Sequence, residues 1–239
     1  MLYFANPCGG GPVTAAMQAG SLGFIDTPAQ GNKRPEGVTW CADNGAFSDK
    51  FDEGKWWRFL VDNAHAASTC AFAVAPDVVG DARATLARSA PWLPRIRALG
   101  YPAALVAQNG LENLVTPWGD FDALFIGGCV ECADHGPTTE PIKTGRGGHQ
   151  RFYCPTCDVQ IFEWKLSPAA RDLIIEAKRR GKWVHMGRVN SEKRFRYAAA
   201  LGCDSVDGTY LVAGPDTNLP KLLAWVRGND QLDLFGEAS

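Results

Sequence analysis

Four cysteines carry the clearest chemistry in this chain. Cys129, Cys132, Cys154 and Cys157 form two Cys-x2-Cys pairs separated by 21 residues. Four thiolates at such spacing can close a tetrahedral zinc site. The stretch between the pairs is rich in Gly, Thr and Pro and has too few apolar residues to order itself. Metal binding would supply that folding energy, and a site closed by four protein ligands is structural rather than catalytic. His135 and His149 could each replace a cysteine, but four thiolates suffice without them. The other cysteines, Cys8, Cys41, Cys70 and Cys203, sit in or beside apolar runs and read as buried small hydrophobes.

A second set of residues recurs at the ends of short apolar runs. Asp43 opens Asp-Asn-Gly-Ala-Phe (43–47), Asp77 lies in APDVVGD and Gln108 in LVAQNG. Gly127 and Gly128 end a fourth run, His185-Met186-Gly187-Arg188 a fifth, and Asp204 to Gly208 a sixth. Paired carboxylates suit the cleavage of a glycosidic bond, and carboxylates beside an amide suit the hydrogen-bonding edge of a purine. Any one of these aspartates alone reads as a turn or cap residue. The functional reading rests on successive runs ending in the same way.

The elements that would position these groups follow from the pattern. Apolar runs predict strands over 2–6, 22–26, 38–43, 70–75, 102–107, 123–127, 182–187 and 203–207. Helical spacing appears over 53–66, 80–98, 167–180, 191–201 and 218–227. Ser167 before Pro168 predicts an N-cap, Asn190 or Ser191 another, and Gly181 and Gly202 follow helix ends. Alternating strands and helices predict a parallel sheet, and eight strands predict an α/β fold of the (β/α)8 TIM-like barrel type. An open doubly wound sheet is the alternative, weakened because no Gly-x-Gly-x-x-Gly follows the first strand. The zinc ribbon, 129–161, is an insert in a single catalytic domain spanning 1–228, with a flexible tail over 229–239. It follows a predicted strand end, and in a barrel that end is the catalytic face.

Composition bounds the function classes. No run of about 18 apolar residues occurs, so no transmembrane helix is expected. The N-terminus lacks the basic and apolar regions of a signal peptide, which predicts a cytoplasmic protein, in a host cytoplasm if phage-encoded. The net charge of −2 conceals an asymmetry: residues 141–200 hold thirteen Lys/Arg against five Asp/Glu. Such an excess predicts contact with a polyanion, although Lys178, Arg179 and Arg180 equally close a helix, where cations favour the dipole.

In order along the chain, these motifs resemble the tRNA-guanine (queuine/archaeosine) transglycosylase family. More narrowly, they resemble its short branch that places 7-deazaguanines into phage or bacterial DNA. DNGAF (43–47) is similar to the family's Asp-Ser-Gly-Gly-aromatic motif and AQNG (107–110) to its Val-Gln-Gly. Ile126-Gly127-Gly128, Met186-Gly187 and Gly202-x-Asp204-x-x-Asp207 match its Ile-Gly-Gly, Met-Gly and Gly-x-Asp-x-x-Asp. The resemblance implies that Asp207 is the nucleophile and Asp43 the general acid/base. It implies that Asp77, Gln108 and the Gly128 backbone read the base edge, and that Phe47 and Met186 sandwich its ring. The partners implied are guanine in DNA and a free base, 7-cyano-7-deazaguanine, with no redox or nucleotide cofactor. The family's usual C-terminal zinc site is missing, and Gly208-Thr209-Tyr210 replaces its Cys-Val-Leu-Pro-Thr-Arg run. That departure puts the usual tRNA contacts in doubt and favours DNA. The rivals are tRNA-guanine exchange, a non-catalytic zinc-ribbon nucleic-acid-binding protein, and another barrel enzyme such as a glycosidase.

Two further expectations lie outside these motifs. Glu163, Trp164 and Lys165 are expected to line the pocket beyond the insert. Gln231-Leu232-Asp233-Leu234-Phe235 resembles the pentapeptide that binds the bacterial sliding clamp, which would tether the enzyme at newly made duplex; the alternative is a tail that folds back to cover the barrel.

Overall fold

The computed structural model describes residues 1–6, 11–30, 33–47, 51–145 and 151–235, with the backbone alone for 229–235. Eight parallel strands close into a barrel: β1 (Leu2–Ala5), β2 (Gly23–Asp26), β3 (Trp40–Ala42), β4 (Cys70–Val74), β5 (Ala103–Ala107), β6 (Ala123–Ile126), β12 (Trp183–Met186) and β13 (Ser205–Gly208). Each expected strand is present, seven of them trimmed by a residue or two at their ends and the last, expected over 203–207, shifted to Ser205–Gly208. The insert supplies β7 (Val130–Cys132), β8 (Gly136–Thr138), β9 (Ile142–Thr144), β10 (Arg151–Tyr153) and β11 (Gln160–Glu163). These form a separate antiparallel sheet in the order β8-β7-β11-β10-β9.

The helices wrap the barrel as α1 (Gly11–Gln18), α2 (Glu53–Asp62), α3 (Ala82–Ser89), α4 (Leu93–Ala98), α5 (Pro168–Arg179), α6 (Glu192–Ala200) and α7 (Pro215–Phe235). Helix α1 had not been expected, because its eight residues open on Gly11-Pro12 and carry a weak periodic signal. The single helix expected over 80–98 is two helices, broken at 90–92 where Pro94 begins a new first turn. Ser167 and Ser191 cap α5 and α6, accepting from the backbone N–H of Ala170 and Arg194. Asn190 instead accepts from Thr209 N at 2.6 Å. Gly181 and Gly202 adopt left-handed conformations at the helix ends. Helix α7 runs through Phe235, so the backbone of 229–235 is helical where a flexible tail was expected. Among the described residues, no helix is long and apolar enough to cross a membrane.

Side chains alternate along each strand, inward to the barrel axis or outward to the helices. Phe4, Ile25, Cys41, Phe72, Val74, Ala104, Val106 and Ala123 fill the interior. A larger apolar layer joins the outer strand faces to the helices, with Tyr3, Trp40, Trp56, Met186 and Val206 among its members. Cys41, Cys70 and Cys203 are buried, as expected, and Cys8 lies outside the described residues.

Candidate active site

The strand ends β2 to β6, β12 and β13 surround a cavity of about 140 Å³ open on one side. Asp43, Phe47, Asp77, Gln108, Gly127, Gly128, Gly187 and Asp207 all line it, with Asn44 and Arg188. A void of this size suits a flat ring, since one of about 150 Å³ holds benzene. Nine of these ten residues come from the tight turns that follow barrel strands; the tenth, Asp207, stands on β13 itself.

Two glycines are needed where the chain crosses the cavity. Gly128 has a φ of +77°, and a Cβ there would lie 2.7 Å from Trp164. At Gly187 a Cβ would lie 2.8 Å from the Phe125 ring. Both distances are shorter than real contacts allow, so a side chain at either position would force the cavity wall to move.

Asp77 and Gln108 face each other on one wall. Asn44 Nδ2 donates to Asp77 Oδ1 at 2.7 Å and Gln108 Nε2 to Asp77 Oδ2 at 2.5 Å. Gln108 Oε1 accepts from Gly80 N at 2.9 Å and from Gly128 N at 3.0 Å. The Gly128 backbone is expected to read a base edge, but its N–H is held by Gln108. Burial raises the Asp77 carboxyl above its ordinary value, opposed by its two amide donors and by Arg88.

Asp43 follows β3, next to the strand that leads to Asp77, and Asp207 stands on β13 on the far side of the barrel. Burial, then the charges of Asp207 and Asp77, push the Asp43 carboxyl up to about 7. Asp207 is fixed through one oxygen: Oδ1 lies 2.9 Å from His185 Nε2 and accepts from Arg188 N at 3.2 Å. Two carboxylates thus share one cavity, one of them with its pKa raised to about 7, an arrangement able to supply acid/base and nucleophilic chemistry.

Met186 corrects the expectation of a stacking residue. His185 points into the barrel, so its neighbour Met186 must point outward, where it is fully buried against the helix layer. The group over Phe47 is instead the Arg188 guanidinium, 4.5 Å from the ring centroid. Arg188 also donates to Gly128 O and holds a φ of +59°, a left-handed conformation rare for a residue with a side chain. Lys165 braces that turn: its Nζ, in a side chain 1% exposed, donates to Gly187 O at 2.8 Å and Arg188 O at 3.2 Å. Burial lowers Lys165 to about 8. Neither it nor Glu163 or Trp164 lines the cavity as expected; Glu163 pairs with Arg194 and Lys165 behind the wall. Asp204 lies at the other end of β13, bound to Lys178 at 2.7 Å.

The metal centre also differs from its expected ligand set. Cys132, His135, Cys154 and Cys157 place their donor atoms within 4.8 Å of one another. Cys129 is not among them; its thiol lies 3.6 Å from Asn109 Oδ1 against the barrel rim. The cause is local: Cys132 ends β7, and His135 sits in the turn before β8, so this hairpin turn carries a Cys-x2-His pair. Cys154 and Cys157 come from the turn between β10 and β11. Cys132 Sγ lies 3.7 Å from Cys157 Sγ and 3.5 Å from His135 Nδ1, and Cys154 Sγ lies 3.7 Å from His135 Nδ1. Tetrahedral zinc with bonds of about 2.3 Å to sulfur and 2.05 Å to nitrogen requires edges of about 3.8 and 3.6 Å. The donor set therefore fits zinc, closed by four protein ligands. His149 lies outside the described residues.

Much of the basic excess over 141–200 is paired internally. Arg179 and Arg180 bind Glu176, Arg196 binds Glu192, Lys178 binds Asp204 and Arg194 binds Glu163.

No family model matches the chain, and no curated protein matches it by sequence. Solved structures similar to it include tryptophan synthase from M. tuberculosis. The open form with BRD0059 bound is 15% identical over 94% of this chain and 89% of that one, with a TM-score of 0.48. The aminoacrylate- and BRD0059-bound form is 12% identical over 90% of this chain, with a TM-score of 0.42; the chain spans 63% of its length. By its own strand order and donor cluster, the chain is a closed eight-stranded α/β barrel of the TIM type carrying a Cys3His cluster suited to zinc.

Proposed function

We propose that this protein exchanges guanine in DNA for a 7-deazaguanine, through a covalent glycosyl-aspartate. The observation that carries the reading is the pairing of Asp43, held near neutrality, with Asp207, anchored by one oxygen, across one ring-sized cavity.

Asp207 attacks C1′ of the target nucleotide, and the bond from C1′ to N9 of guanine breaks. The electron pair leaves with guanine, which takes the Asp43 proton. The incoming base then returns a proton to Asp43, its N9 attacks C1′, and Asp207 is released. Protons and electrons balance over the cycle, with no oxidant and no net water. A carboxyl at about 7 serves as acid and base with equal ease at neutral pH. The zinc ion would hold the ribbon together and takes no part in these steps.

The Asp77 and Gln108 wall suits a guanine edge. Each Asp77 oxygen already accepts one amide hydrogen bond and has a lone pair left for N1–H and the 2-amino group. The second Nε2 hydrogen of Gln108 is available to O6. Neither partner needs N7, so a base with carbon at that position is tolerated. The ring would stack on Phe47, displacing the Arg188 guanidinium. The target nucleotide must leave the helical stack to reach the cavity.

The preference for DNA rests on the resemblance to the short DNA-modifying branch. Incubating the protein with duplex DNA or tRNA, plus 7-cyano-7-deazaguanine, and digesting to nucleosides for mass spectrometry tests it. The deazaguanine deoxynucleoside is expected. Incorporation into tRNA alone would change the polymer, and none into either would overturn the reading.

A further inference from the structure

The barrel interior holds one column of polar groups among aromatic rings. His185 is fully buried, with ring centroids 4.5 Å from Phe125, 5.1 Å from Phe72 and 5.9 Å from Phe4. It stands beside Ser205 in the β12–β13 register, and Trp183, Ser205 and Asp207 share its inward face. Trp183 Nε1 lies 2.8 Å from Ser205 Oγ, which lies 2.9 Å from His185 Nδ1. His185 Nε2 lies 2.9 Å from Asp207 Oδ1.

Donor accounting gives this chain a direction when His185 is neutral, because the Asp207 carboxylate only accepts. An indole N–H only donates, so Ser205 Oγ accepts from Trp183. The Ser205 hydroxyl hydrogen is then free to point at His185 Nδ1. That makes Nδ1 the acceptor and leaves the imidazole hydrogen on Nε2, aimed at Asp207. The opposite tautomer would face a lone pair against the carboxylate.

From this geometry we infer that His185 is the positioning residue of Asp207, held in its Nε2–H tautomer by Ser205 and Trp183. Two donors, His185 Nε2 and Arg188 N, occupy Oδ1; Oδ2 has no partner among the described residues and is the oxygen that attacks. The relay restrains rotation of the carboxylate without entering the cavity, since neither His185, Ser205 nor Trp183 lines it. Its effect on rate rests on the exchange reaction proposed above; its tautomer does not.

Nitrogen-15 NMR of protein labelled at histidine tests the tautomer directly. Wild type should show His185 with a protonated Nε2 and a bare Nδ1, and Ser205→Ala should lose that fixed state. A protonated Nδ1 in wild type would overturn the inference whatever the activity. In the exchange assay, loss of a hydrogen bond to a charged group is worth about 10- to 100-fold. His185→Leu should lower kcat by about that factor and Ser205→Ala by about 10-fold, both with KM unchanged. If His185→Leu does not fold, Ser205→Ala and Trp183→Phe carry the test, and rates within twofold of wild type in both would overturn the positioning role. The expected tautomer without any base exchange would support the relay while overturning the proposed function.

Discussion

Asp43→Asn should stabilise this protein, by an amount that depends on pH. In the folded chain Asp43 titrates at about 7 against an ordinary 3.8, because burial and the charges of Asp207 and Asp77 disfavour its ionised form. A raised folded value means that the group's stabilising contribution is complete below about pH 4. It is lost progressively as pH rises from there to about 7. The shift is about three units, and at about 1.4 kcal/mol per unit the loss is on the order of 4 kcal/mol. Asparagine keeps the shape and never ionises, so it avoids this loss. Urea unfolding of zinc-loaded wild type and Asp43→Asn between pH 4 and 9 checks it. The stability difference should be near zero at pH 4, grow through pH 6, and level off above pH 7. Asp26, raised to about 6 chiefly by burial, adds a similar slope to both proteins and cancels in the difference. Adding Asp207→Asn to both should shrink the difference, because one of the raising charges is gone. A difference independent of pH, or an Asp43→Asn protein less stable at pH 8, would refute the electrostatic account of the pair.

Three other outcomes are expected, two from the geometry and one from the sequence resemblance of the tail. Cys129→Ser should retain one zinc per chain by elemental analysis, whereas His135→Ala should lose it or bind it at least 10-fold more weakly; the reverse result would restore the four-thiolate set. Gly187→Ala should raise KM for the incoming base by about 10-fold in the exchange assay, because its Cβ would lie 2.8 Å from Phe125 in the cavity wall. Unchanged kinetics there would mean that the cavity does not hold the base. A peptide of residues 228–239 should bind bacterial sliding clamp in a fluorescence titration, with Phe235→Ala abolishing it; no binding at high micromolar peptide would remove the clamp as a partner.

Strand positions were legible because buried parallel strands read as short apolar runs, and the polar residues after them located the cavity. What the runs did not convey was which way each residue points. Met186 looked like a stacking residue until the inward position of its neighbour His185 turned it outward. Alternation along β12 contains that information, but only once one residue of the strand is assigned a face. Spacing misled at the metal. Cys129-x2-Cys132 and Cys132-x2-His135 are equivalent in sequence, and the hairpin turn between β7 and β8 decides between them. Arg188 stood only as the last residue of the run end over 185–188, with nothing to mark its own role. Its role arises from a left-handed turn held by Lys165 from a distant segment, and no local pattern encodes that contact.

In the proposed cycle Asp207 bonds to the sugar while guanine leaves. Acid-quenching the protein with a guanine-containing DNA oligonucleotide, then mapping peptides by mass spectrometry, tests it most directly. The account predicts a deoxyribosyl adduct on Asp207, absent in Asp207→Asn and discharged when 7-cyano-7-deazaguanine is added. An adduct on another residue, or full exchange activity in Asp207→Asn, would contradict it.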